Sequence, residues 1–363
     1  MKRRMFLRLT GALAVLGLPW VSHAGQPSIA DDAESLPPLA SSNQGPNDHE
    51  LWESEAQNTV IKVVGVGGAG GNAVEHMIRE GCRGIDYICC NTDALALTRS
   101  SAPVKLQLGS GLGAGGNPEI ARELARLDRS RIAETLAGAH MVFITAGLGG
   151  GTGTGAAPVV AEVARELGIL TVAMVTKPFD YEGKRRLIAE EGAVELARHV
   201  DALIAIPNER LEKTFGEEIS LLDAFKAADS MLAAAVTGIG KMLYKPGLVG
   251  VDFEDVRSVI GERRGRAAVG SSTASGIDRA RRAAEAAMTF PLMDAFNIGQ
   301  ECSVLVSITG STSLGLRDYK EVMRTIRQST APEATVITGA VFDDAMGEKL
   351  RVTVVVFGIP GRV

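Results

Sequence analysis

The chain has 363 residues, 45% of them hydrophobic, which is enough for two hydrophobic cores at roughly 100–200 residues per domain. The formal net charge of −5 excludes the strongly basic character typical of nucleic-acid-binding proteins. Aromatic residues make up 4% of the chain, too few for base-stacking platforms, so no nucleic-acid partner is expected.

The first 24 residues are typical of an export signal. A basic start at residues 2–4 precedes an apolar stretch over residues 9–18, and a small-x-small cleavage site ends at Ala24. The paired arginines of the basic start fit the twin-arginine type of signal, and the apolar stretch is too short for an ordinary membrane span. Residues 25–57 lack hydrophobic periodicity and are predicted to form a disordered linker.

A glycine-rich turn follows the first predicted strand. Apolar residues 60–66 predict a buried strand, glycines within residues 67–71 interrupt it, and a helical pattern begins at Asn72. Further strands separated by amphipathic stretches are predicted over residues 85–90, 141–145, 170–175 and 203–206. This alternation predicts an α/β fold with a doubly wound, Rossmann-like and mainly parallel sheet.

A long helix is predicted to separate two domains. It covers residues 220–243 and is ended by Lys245-Pro246-Gly247. The elements predicted after it, strands over residues 302–309, 334–341 and 351–357 and a helix over residues 318–327, indicate a smaller mixed α/β domain. The expected boundaries are residues 58–219 for the first domain, 220–249 for the helix and the start of the loop after it, and 250–363 for the second domain.

A second glycine run occupies residues 149–155, between a predicted strand and a helix predicted from Ala156. Backbone N–H groups converge at a helix N-terminus, and glycine lets the backbone approach an anion without an intervening Cβ. Two threonines within the run add hydroxyl donors. The run is therefore predicted to bind phosphate groups.

Residues 67–71 alone also fit the dinucleotide fingerprint of a nicotinamide-dependent oxidoreductase, which expects an acidic residue about 20 positions further on. Asp93 lies near that position, so this test does not remove the alternative. The second glycine run argues against the oxidoreductase, and the absence of a Gly-x-x-x-x-Gly-Lys-Ser/Thr motif argues against a P-loop protein.

The run Gly-Gly-Gly-Thr-Gly-Thr-Gly resembles the tubulin signature, and residues 60–358 resemble the bacterial FtsZ branch of the tubulin/FtsZ GTPase family. Other matching motifs lie at residues 113–118, 175–179, 206–208 and 350–355. The resemblance implies a tubulin/FtsZ fold, binding of GTP and GDP with Mg²⁺, and hydrolysis of GTP that depends on assembly into head-to-tail filaments of the cell-division type. The expected partners are further copies of the chain and another member of the family.

The resemblance assigns the nucleotide contacts residue by residue. The first nucleotide loop is Gly68, Ala69, Gly70, Gly71 and Asn72, with Asn72 reaching the guanine; the phosphate loop is Gly151, Thr152, Gly153 and Thr154. The ribose side is assigned to Glu182 and Arg186, for which a solvated charged turn is the alternative. Asn208, Phe225 and Asp229 are assigned to the base. Phe225 and Asp229 share a helix face, and core packing is the alternative for Phe225.

The resemblance places catalysis on a second subunit, whose loop after the long helix reaches the nucleotide. Asp252 and Asp255 match the acidic pair of that loop, and a helix cap with a first-turn acid is the alternative interpretation. Gly250 stands where the family has an asparagine, which predicts slower hydrolysis. Leu95 replaces a glutamine usual in bacterial FtsZ and predicts altered nucleotide exchange. These departures leave a second hypothesis open, a GTP-binding relative that co-assembles with or caps filaments and hydrolyses little.

The two ends of the chain bear on location. The sequence stops at Val363, directly after the last predicted strand, so a docking peptide for the membrane tethers FtsA or ZipA is expected to be absent. Membrane contact is expected only if the N-terminal segment is retained. Because GTP turnover needs a nucleotide supply, a cytoplasmic location at the division site is favoured, and export through residues 1–24 is the alternative.

Two other groups of residues are interpreted as structural. Cys82, Cys89, Cys90 and Cys302 match neither a disulfide framework nor a zinc motif, so no protein-held metal is expected. The basic cluster at residues 263–266 is interpreted as a solvated loop.

Overall fold

The computed structural model describes residues 59–82, 84–216, 218–244, 249–289 and 302–360, apart from the side chains of residues 212–215 and 221. The predicted signal segment, the predicted linker and the predicted helix end at residues 245–247 lie outside the described residues.

Ten strands of the described residues form one sheet in the order β3-β2-β1-β4-β5-β6-β7-β10-β8-β9. Their bounds are β1 Ile61–Val66, β2 Asp86–Asn91, β3 Val104–Gln107, β4 Met141–Gly147, β5 Leu170–Lys177, β6 Ala202–Pro207, β7 Gly265–Ala274, β8 Ser303–Gly310, β9 Thr335–Phe342 and β10 Leu350–Ile359. Neighbouring strands are parallel, except that β10 is antiparallel to β7 and β8. The predicted mainly parallel α/β sheet is confirmed.

Eleven α-helices within the described residues cover this sheet. Their bounds are α1 Gly67–Arg79, α2 Ala94–Arg99, α3 Pro118–Leu127, α4 Arg129–Leu136, α5 Thr152–Glu166, α6 Lys184–Ala197, α7 Asn208–Phe215, α8 Leu221–Tyr244, α9 Phe253–Gly261, α10 Arg279–Met288 and α11 Leu316–Gln328. The long helix predicted over residues 220–243 matches α8 to within one residue at each end. None of the described helices combines the length and apolar composition needed to cross a lipid bilayer.

Three buried hydrophobic clusters hold these layers together. One lies between the sheet and helices α1, α8 and α9, and it includes Phe143 of β4 and Phe357 of β10. Within it, α8 contacts α1 and strands β7 to β10. The opposite face of β1 to β6 buries a second cluster under α5 and α6. The third cluster lies between β7 to β10 and helices α10 and α11. These packed faces fix where the strand ends, and hence the loops, are located.

Two helices begin earlier than predicted. Helix α1 begins at Gly67, not at Asn72, and α5 begins at Thr152, not at Ala156. Glycine is a poor helix former, so the sequence pattern places both helix starts after the glycines. In the fold, glycines build these first turns, and at Gly70, Gly153 and Gly155 a larger residue would collide with a neighbouring backbone carbonyl. The predicted glycine turns are thus helix N-termini.

Strand β7 is absent from the sequence prediction because its small residues lack a clear alternation of polar and apolar side chains. Its start also corrects the prediction for the basic cluster at residues 263–266. Gly265 and Arg266 belong to β7, and Arg266 is half-buried beside Leu203 of β6, so the cluster is not wholly a solvated loop.

Candidate functional site

The carboxyl ends of β1 and β4 bring the two glycine segments together. An added Cβ at Gly67 would lie 3.0 Å from the backbone nitrogen of Gly153, so the first turns of α1 and α5 are in contact. Gly67 also has a φ of +74°, which L side chains rarely adopt. Parallel strands that end at one edge place their following loops side by side, which is where ligands bind in open α/β sheets.

Glycines in these segments are of two kinds. At Gly70 and Gly153 an added Cβ would collide with the carbonyl oxygens of Thr145 and Gly147, so these glycines are required by packing. At Gly68 and Gly71 an added Cβ would meet nothing within 4 Å. The second kind leaves open space beside exposed backbone, which is what an approaching phosphate group needs.

The first turn of α5 supplies the backbone donors of the predicted phosphate loop. The N–H groups of a first helical turn have no partner within the helix, so those of Thr152, Gly153 and Thr154 are available to an anion. The Thr152 hydroxyl lies 2.7 Å from the hydroxyl of Thr92. The Thr154 hydroxyl is buried and accepts a hydrogen bond from Gly149 N–H at 2.9 Å, so this side chain shapes the loop.

A third glycine segment, residues 113–117, completes the wall of the site. Gly113, Gly115 and Gly116 all have positive φ, and an added Cβ at any of them would meet nothing within 4 Å. Gly151 packs against this segment, since an added Cβ would lie 3.0 Å from Asn117 N. The segment is missing from the residue-level prediction. Its glycine density was the available signal, and only the fold brings it beside the phosphate loop.

The turn carrying Glu182 and Arg186 lies against the same loop. An added Cβ at Gly149 would lie 2.7 Å from the carbonyl oxygen of Arg185. Glu182 accepts a hydrogen bond from Phe179 N–H at 2.9 Å and pairs with Arg185. Arg186 is exposed and lies 3.2 Å from Asp180. The charged turn of the alternative interpretation is therefore present, and it borders the candidate site.

Asn208 carries an unsatisfied polar atom. It begins α7 directly after β6, is 6% exposed, and its Oδ1 is buried without a hydrogen-bond partner among the described residues. Leaving a buried acceptor unpaired costs about 1–3 kcal/mol, so such an atom indicates a missing donor. A nucleotide base offers donors of this kind.

The first half of α8 presents an aromatic ring and a carboxyl group four residues apart. Phe225 is 45% exposed, which argues against the core alternative. Asp229 faces α1, and no described residue donates a hydrogen bond to it. Burial raises the pKa of the Asp229 carboxyl from 3.8 to about 6, and the nearby Arg79 opposes this rise. A half-buried carboxylate without donors is suited to bind a ligand N–H.

Asp252 and Asp255 form the N-terminal cap of α9. Asp255 N–H donates to Asp252 Oδ1 at 2.7 Å, and Asp252 N–H donates to Asp255 Oδ2 at 3.2 Å. This reciprocal capping box matches the helix-cap interpretation, and it fixes both exposed carboxylates side by side. One oxygen of each carboxylate makes no capping hydrogen bond, so capping and water binding are compatible.

The acidic pair lies far from the glycine segments of its own chain. The Phe253 ring packs edge-on against His140 with centroids 5.9 Å apart, and His140 directly precedes β4. The glycine run follows β4 at its other end, about 23 Å away at ~3.3 Å per residue. Along α8, Asp229 and the helix end at Tyr244 are separated by about 22 Å at ~1.5 Å per residue. The two halves of the predicted site therefore occupy opposite ends of the molecule.

Gly250 and Leu95, where the chain departs from the resemblance, are both exposed. An added Cβ at Gly250 would meet nothing within 4 Å, so no packing constraint requires glycine there.

No cluster of three or more His, Cys, Asp or Glu side chains suited to a metal ion occurs in the part of the chain that the structure describes. A metal at this site would rely on ligand phosphate oxygens.

A parallel sheet with glycine-built helix N-termini at one edge, and a long helix leading to a second α/β half, defines a nucleotide-binding protein of the tubulin type. In agreement, the GTPase-domain model of the tubulin/FtsZ family matches residues 60–216, and the C-terminal-domain model of the FtsZ family matches residues 265–360. The cell division protein FtsZ of Coxiella burnetii is 51% identical over 85% of this chain and 81% of its own length. That of Pseudomonas aeruginosa is 51% identical over 86% and 81%. The chain belongs to the FtsZ family.

Solved structures agree with this assignment. An empty FtsZ dimer from M. jannaschii is 40% identical and superposes with a TM-score of 0.77 over 87% of this chain and 93% of that chain. CetZ2 from Haloferax volcanii, solved as a GTPγS-bound protofilament, is 21% identical with a TM-score of 0.68 over 84% of this chain and 94% of that chain, which shows the shared fold alone. The resemblance and the fold predicted from sequence are confirmed.

Proposed function

We propose that this protein binds GTP at the three glycine segments and hydrolyses it only where two subunits meet head to tail. One observation carries the proposal: the acidic pair and the glycine segments lie at opposite ends of β4, about 20 Å or more apart at ~3.3 Å per residue. A carboxylate must lie within about 3 Å of the water that it orients. Head-to-tail stacking brings these ends together.

The glycine segments hold the triphosphate. The free N–H groups of the α1 and α5 N-termini favour negative charge, and the open glycines allow close approach. The groups assigned to this task are the backbones of Gly68, Ala69, Gly70, Gly71, Gly151, Gly153 and Thr154, and the hydroxyl of Thr152. Mg²⁺ would be held mainly by phosphate oxygens, because the described residues contain no group of three or more His, Cys, Asp or Glu side chains suited to a metal ion.

The proposed base and ribose contacts use polar groups that lack hydrogen-bond partners and an aromatic ring that is exposed. Asp229 accepts hydrogen bonds from the guanine N–H groups, Phe225 stacks on the ring, and the buried Oδ1 of Asn208 gains a donor. Asn72, one turn into α1, reaches the base from the other side. Glu182 and Arg186 border the ribose from the turn beside Gly149.

Hydrolysis depends on the neighbouring subunit. Asp252 and Asp255 accept hydrogen bonds from a water molecule and aim its oxygen at the terminal phosphorus. A bond forms from the water oxygen to the terminal phosphorus, and the bond from that phosphorus to the bridging oxygen breaks. The electron pair of the broken bond stays on the bridging oxygen of GDP, and both water protons leave with the phosphate. The capping box holds the two carboxylates in place before the reaction.

The proposed location is the cytoplasm at the division site, because turnover requires a continuous supply of GTP. Export through the signal-like residues 1–24 is the alternative. The proposed partners are further copies of the chain and another FtsZ. Membrane contact is proposed only through a retained N-terminal segment.

Gly250 favours a second candidate function, a co-assembling or capping subunit with little hydrolysis. It lacks a side chain directly beside the acidic pair, where the resemblance expects an asparagine amide. This candidate keeps the nucleotide site and loses water positioning.

The test follows light scattering and phosphate release by the full chain with GTP and Mg²⁺ over a range of protein concentrations. The proposal expects polymer above a threshold concentration and a turnover per subunit that rises with it. Polymer without phosphate release would support the second candidate. Turnover per subunit that is constant at all concentrations contradicts hydrolysis between subunits, and failure to bind GTP contradicts both candidates.

A further inference from the structure

An arginine-lined cavity lies at the end of the molecule that carries the acidic pair. Its volume is about 190 Å³, and it is lined by the end of α5, the residues before β5 and β6, the end of α9 and the residue before β7. Its charged lining residues are Arg165, Asp201, Arg257 and Arg264. Arg264 comes from the basic cluster that the sequence prediction treated as a solvated loop.

The cavity carries more positive than negative charge. Asp201 accepts a hydrogen bond from Thr171 N–H at 2.9 Å through Oδ2, and its Oδ1 lies 3.3 Å from Arg264 Nη2. One guanidinium is thus balanced by the single lining carboxylate. Of the other two, Arg257 is paired with Glu254, which lies just outside the lining, and Arg165 has no ion pair among the described residues. The lining and Glu254 together carry a net charge of about +1, since arginine stays protonated in proteins.

Both of these guanidinium groups are held from one side. Arg165 Nη1 donates to the carbonyl oxygen of Arg198 at 2.8 Å. The Arg257 guanidinium lies over the Phe253 ring, 4.9 Å from its centroid, and its Nε is 3.5 Å from Glu254. Each group makes five N–H donors available, and these contacts use only part of them. The remaining donors are free to bind a ligand in the cavity.

We propose that this cavity binds a phosphate-type oxyanion. Planar guanidinium groups match the oxygen spacing of phosphate and bind it through paired charge-assisted hydrogen bonds. The volume suits a single phosphate group with its waters, and it is below the roughly 300–1,000 Å³ of pockets that hold drug-sized ligands. Partial solvent exposure of the arginines makes the expected affinity moderate and sensitive to salt.

Bound oxyanion acts on the acidic pair through Arg257. This residue lies on α9, two positions after Asp255, and its guanidinium packs on Phe253, which follows Asp252. Pulling Arg257 towards the cavity changes the packing that seats the first turn of α9 against His140. This step rests on the proposed function, in which phosphate is released at the same end of the molecule. The cavity then senses the product and slows turnover.

The test titrates inorganic phosphate into the full chain saturated with GDP, at constant ionic strength, by isothermal titration calorimetry. The cavity variant is Arg165→Gln with Arg264→Gln. The control variant is Arg126→Gln with Arg324→Gln, two exposed arginines that pair with glutamates three residues away, and it removes the same charge elsewhere. We expect saturable binding to the wild type and the control, and at least tenfold weaker binding to the cavity variant.

Three results would overturn the proposal. The first is no saturable phosphate binding to the wild type, and the second is equal phosphate binding by the cavity and control variants. The third is competition by succinate that is as strong as that by phosphate, which would indicate a binding site for protein carboxylates. The single variant Arg264→Gln, expected to weaken binding severalfold, replaces the double variant if the latter unfolds. The phosphate titration involves no GTP turnover. A negative result in it would therefore contradict the phosphate site without contradicting the proposed GTP hydrolysis. We also measure the rate of GDP formation with and without added phosphate. Added phosphate should slow this rate for the control variant and leave it unchanged for the cavity variant. Equal slowing of the two variants would contradict the coupling through Arg257.

Discussion

At the residue scale, the Asp229 carboxyl group affects both the pH dependence of folding stability and the base that the protein is proposed to bind. Its carboxyl pKa is raised by burial to about 6 in the folded protein, against 3.8 in the unfolded chain. The folded state therefore binds the proton more tightly, and the unpaired carboxylate opposes folding above pH 6. A shift of about two units corresponds to roughly 3 kcal/mol, which partial solvent access reduces to about 2 kcal/mol.

The pH dependence of stability has a definite sign. Between pH 4 and 6 the folded protein holds a proton that the unfolded chain has lost, so this group makes stability fall as the pH rises. We expect the nucleotide-free protein to lose about 2 kcal/mol of unfolding free energy from this group between pH 4.5 and 7.5. The measurement is urea unfolding of the wild type and Asp229→Asn. The variant should lack this part of the slope, and equal slopes would show that Asp229 is not buried as a charge.

The same substitution should change which base is bound. An aspartate accepts two hydrogen bonds from the guanine N–H groups, whereas an asparagine accepts one and donates one. Xanthine has an oxygen in place of the guanine amino group and therefore matches asparagine. We expect Asp229→Asn to weaken GDP binding by about tenfold or more and to favour xanthosine diphosphate, since a mismatched buried pair costs about 1–3 kcal/mol. Competition between the two nucleotides measures this, and unchanged preference would remove Asp229 from the base contacts.

Gly250 permits a gain-of-function test. Its position is exposed, its φ is not positive, and an added Cβ meets nothing within 4 Å, so asparagine should be accommodated without strain. We expect Gly250→Asn to raise turnover about fivefold at unchanged GTP affinity, corresponding to one hydrogen bond of about 1 kcal/mol. The control is Gly315→Asn, at another exposed and open glycine. Equal turnover of wild type and Gly250→Asn would show that this position does not limit hydrolysis.

At the element scale, the first turns of α1 contain one glycine that packing requires and another that is open to a ligand. Gly70 and Gly71 are neighbours in one helix, yet an added Cβ is blocked by Thr145 at the first and meets open space at the second. We expect Gly70→Ala to destabilise the protein by about 1–3 kcal/mol through overpacking. Gly71→Ala should stabilise the nucleotide-free protein by up to about 1 kcal/mol and weaken nucleotide binding, because the methyl group occupies the open face. Urea unfolding and nucleotide titration report both; normal binding by Gly71→Ala would exclude that face from the site.

The difference between these two glycines also shows what the sequence can and cannot predict. Periodicity is enough for α8, whose 24 residues keep one apolar stripe, and for the buried strands β1 and β4. It fails for β7, where small residues hide the alternation. It also places the start of α5 four residues late, because glycine marks both turns and tightly packed helix ends. The packing partners that distinguish these cases are distant in sequence.

The candidate site was predictable to a similar degree. The resemblance named residues that lie on α1 and on the part of α8 facing it, such as Gly71 and Asp229. The contact between residues 113–117 and Gly151, the inward turn of the Thr154 hydroxyl and the unpaired Oδ1 of Asn208 depend on three-dimensional packing. Sequence spacing does not encode them. For the same reason the arginine cavity, assembled from four separate segments, has no sequence motif.

At the scale of the whole molecule, α8 connects two surfaces with different proposed functions, nucleotide binding and catalysis. One end carries the base contacts and the other leads to the acidic pair, about 22 Å further along at ~1.5 Å per residue. A subunit with a defective nucleotide site still offers an intact acidic pair, and a subunit with a defective acidic pair still binds GTP. The two defects should therefore complement each other in mixed filaments.

We expect Asp229→Ala and the double variant Asp252→Asn/Asp255→Asn each to have at most a few per cent of wild-type turnover. The asparagines retain the helix cap of α9, since asparagine caps helices about as well as aspartate. Mixed in equal amounts, the variants should recover turnover, because some interfaces pair a working nucleotide site with a working acidic pair. The measurement is phosphate release at constant total protein, and the control mixes each variant with a chain that carries both defects. Turnover of the mixture equal to the mean of the separate variants would show that each chain hydrolyses only its own nucleotide, and would contradict catalysis between subunits.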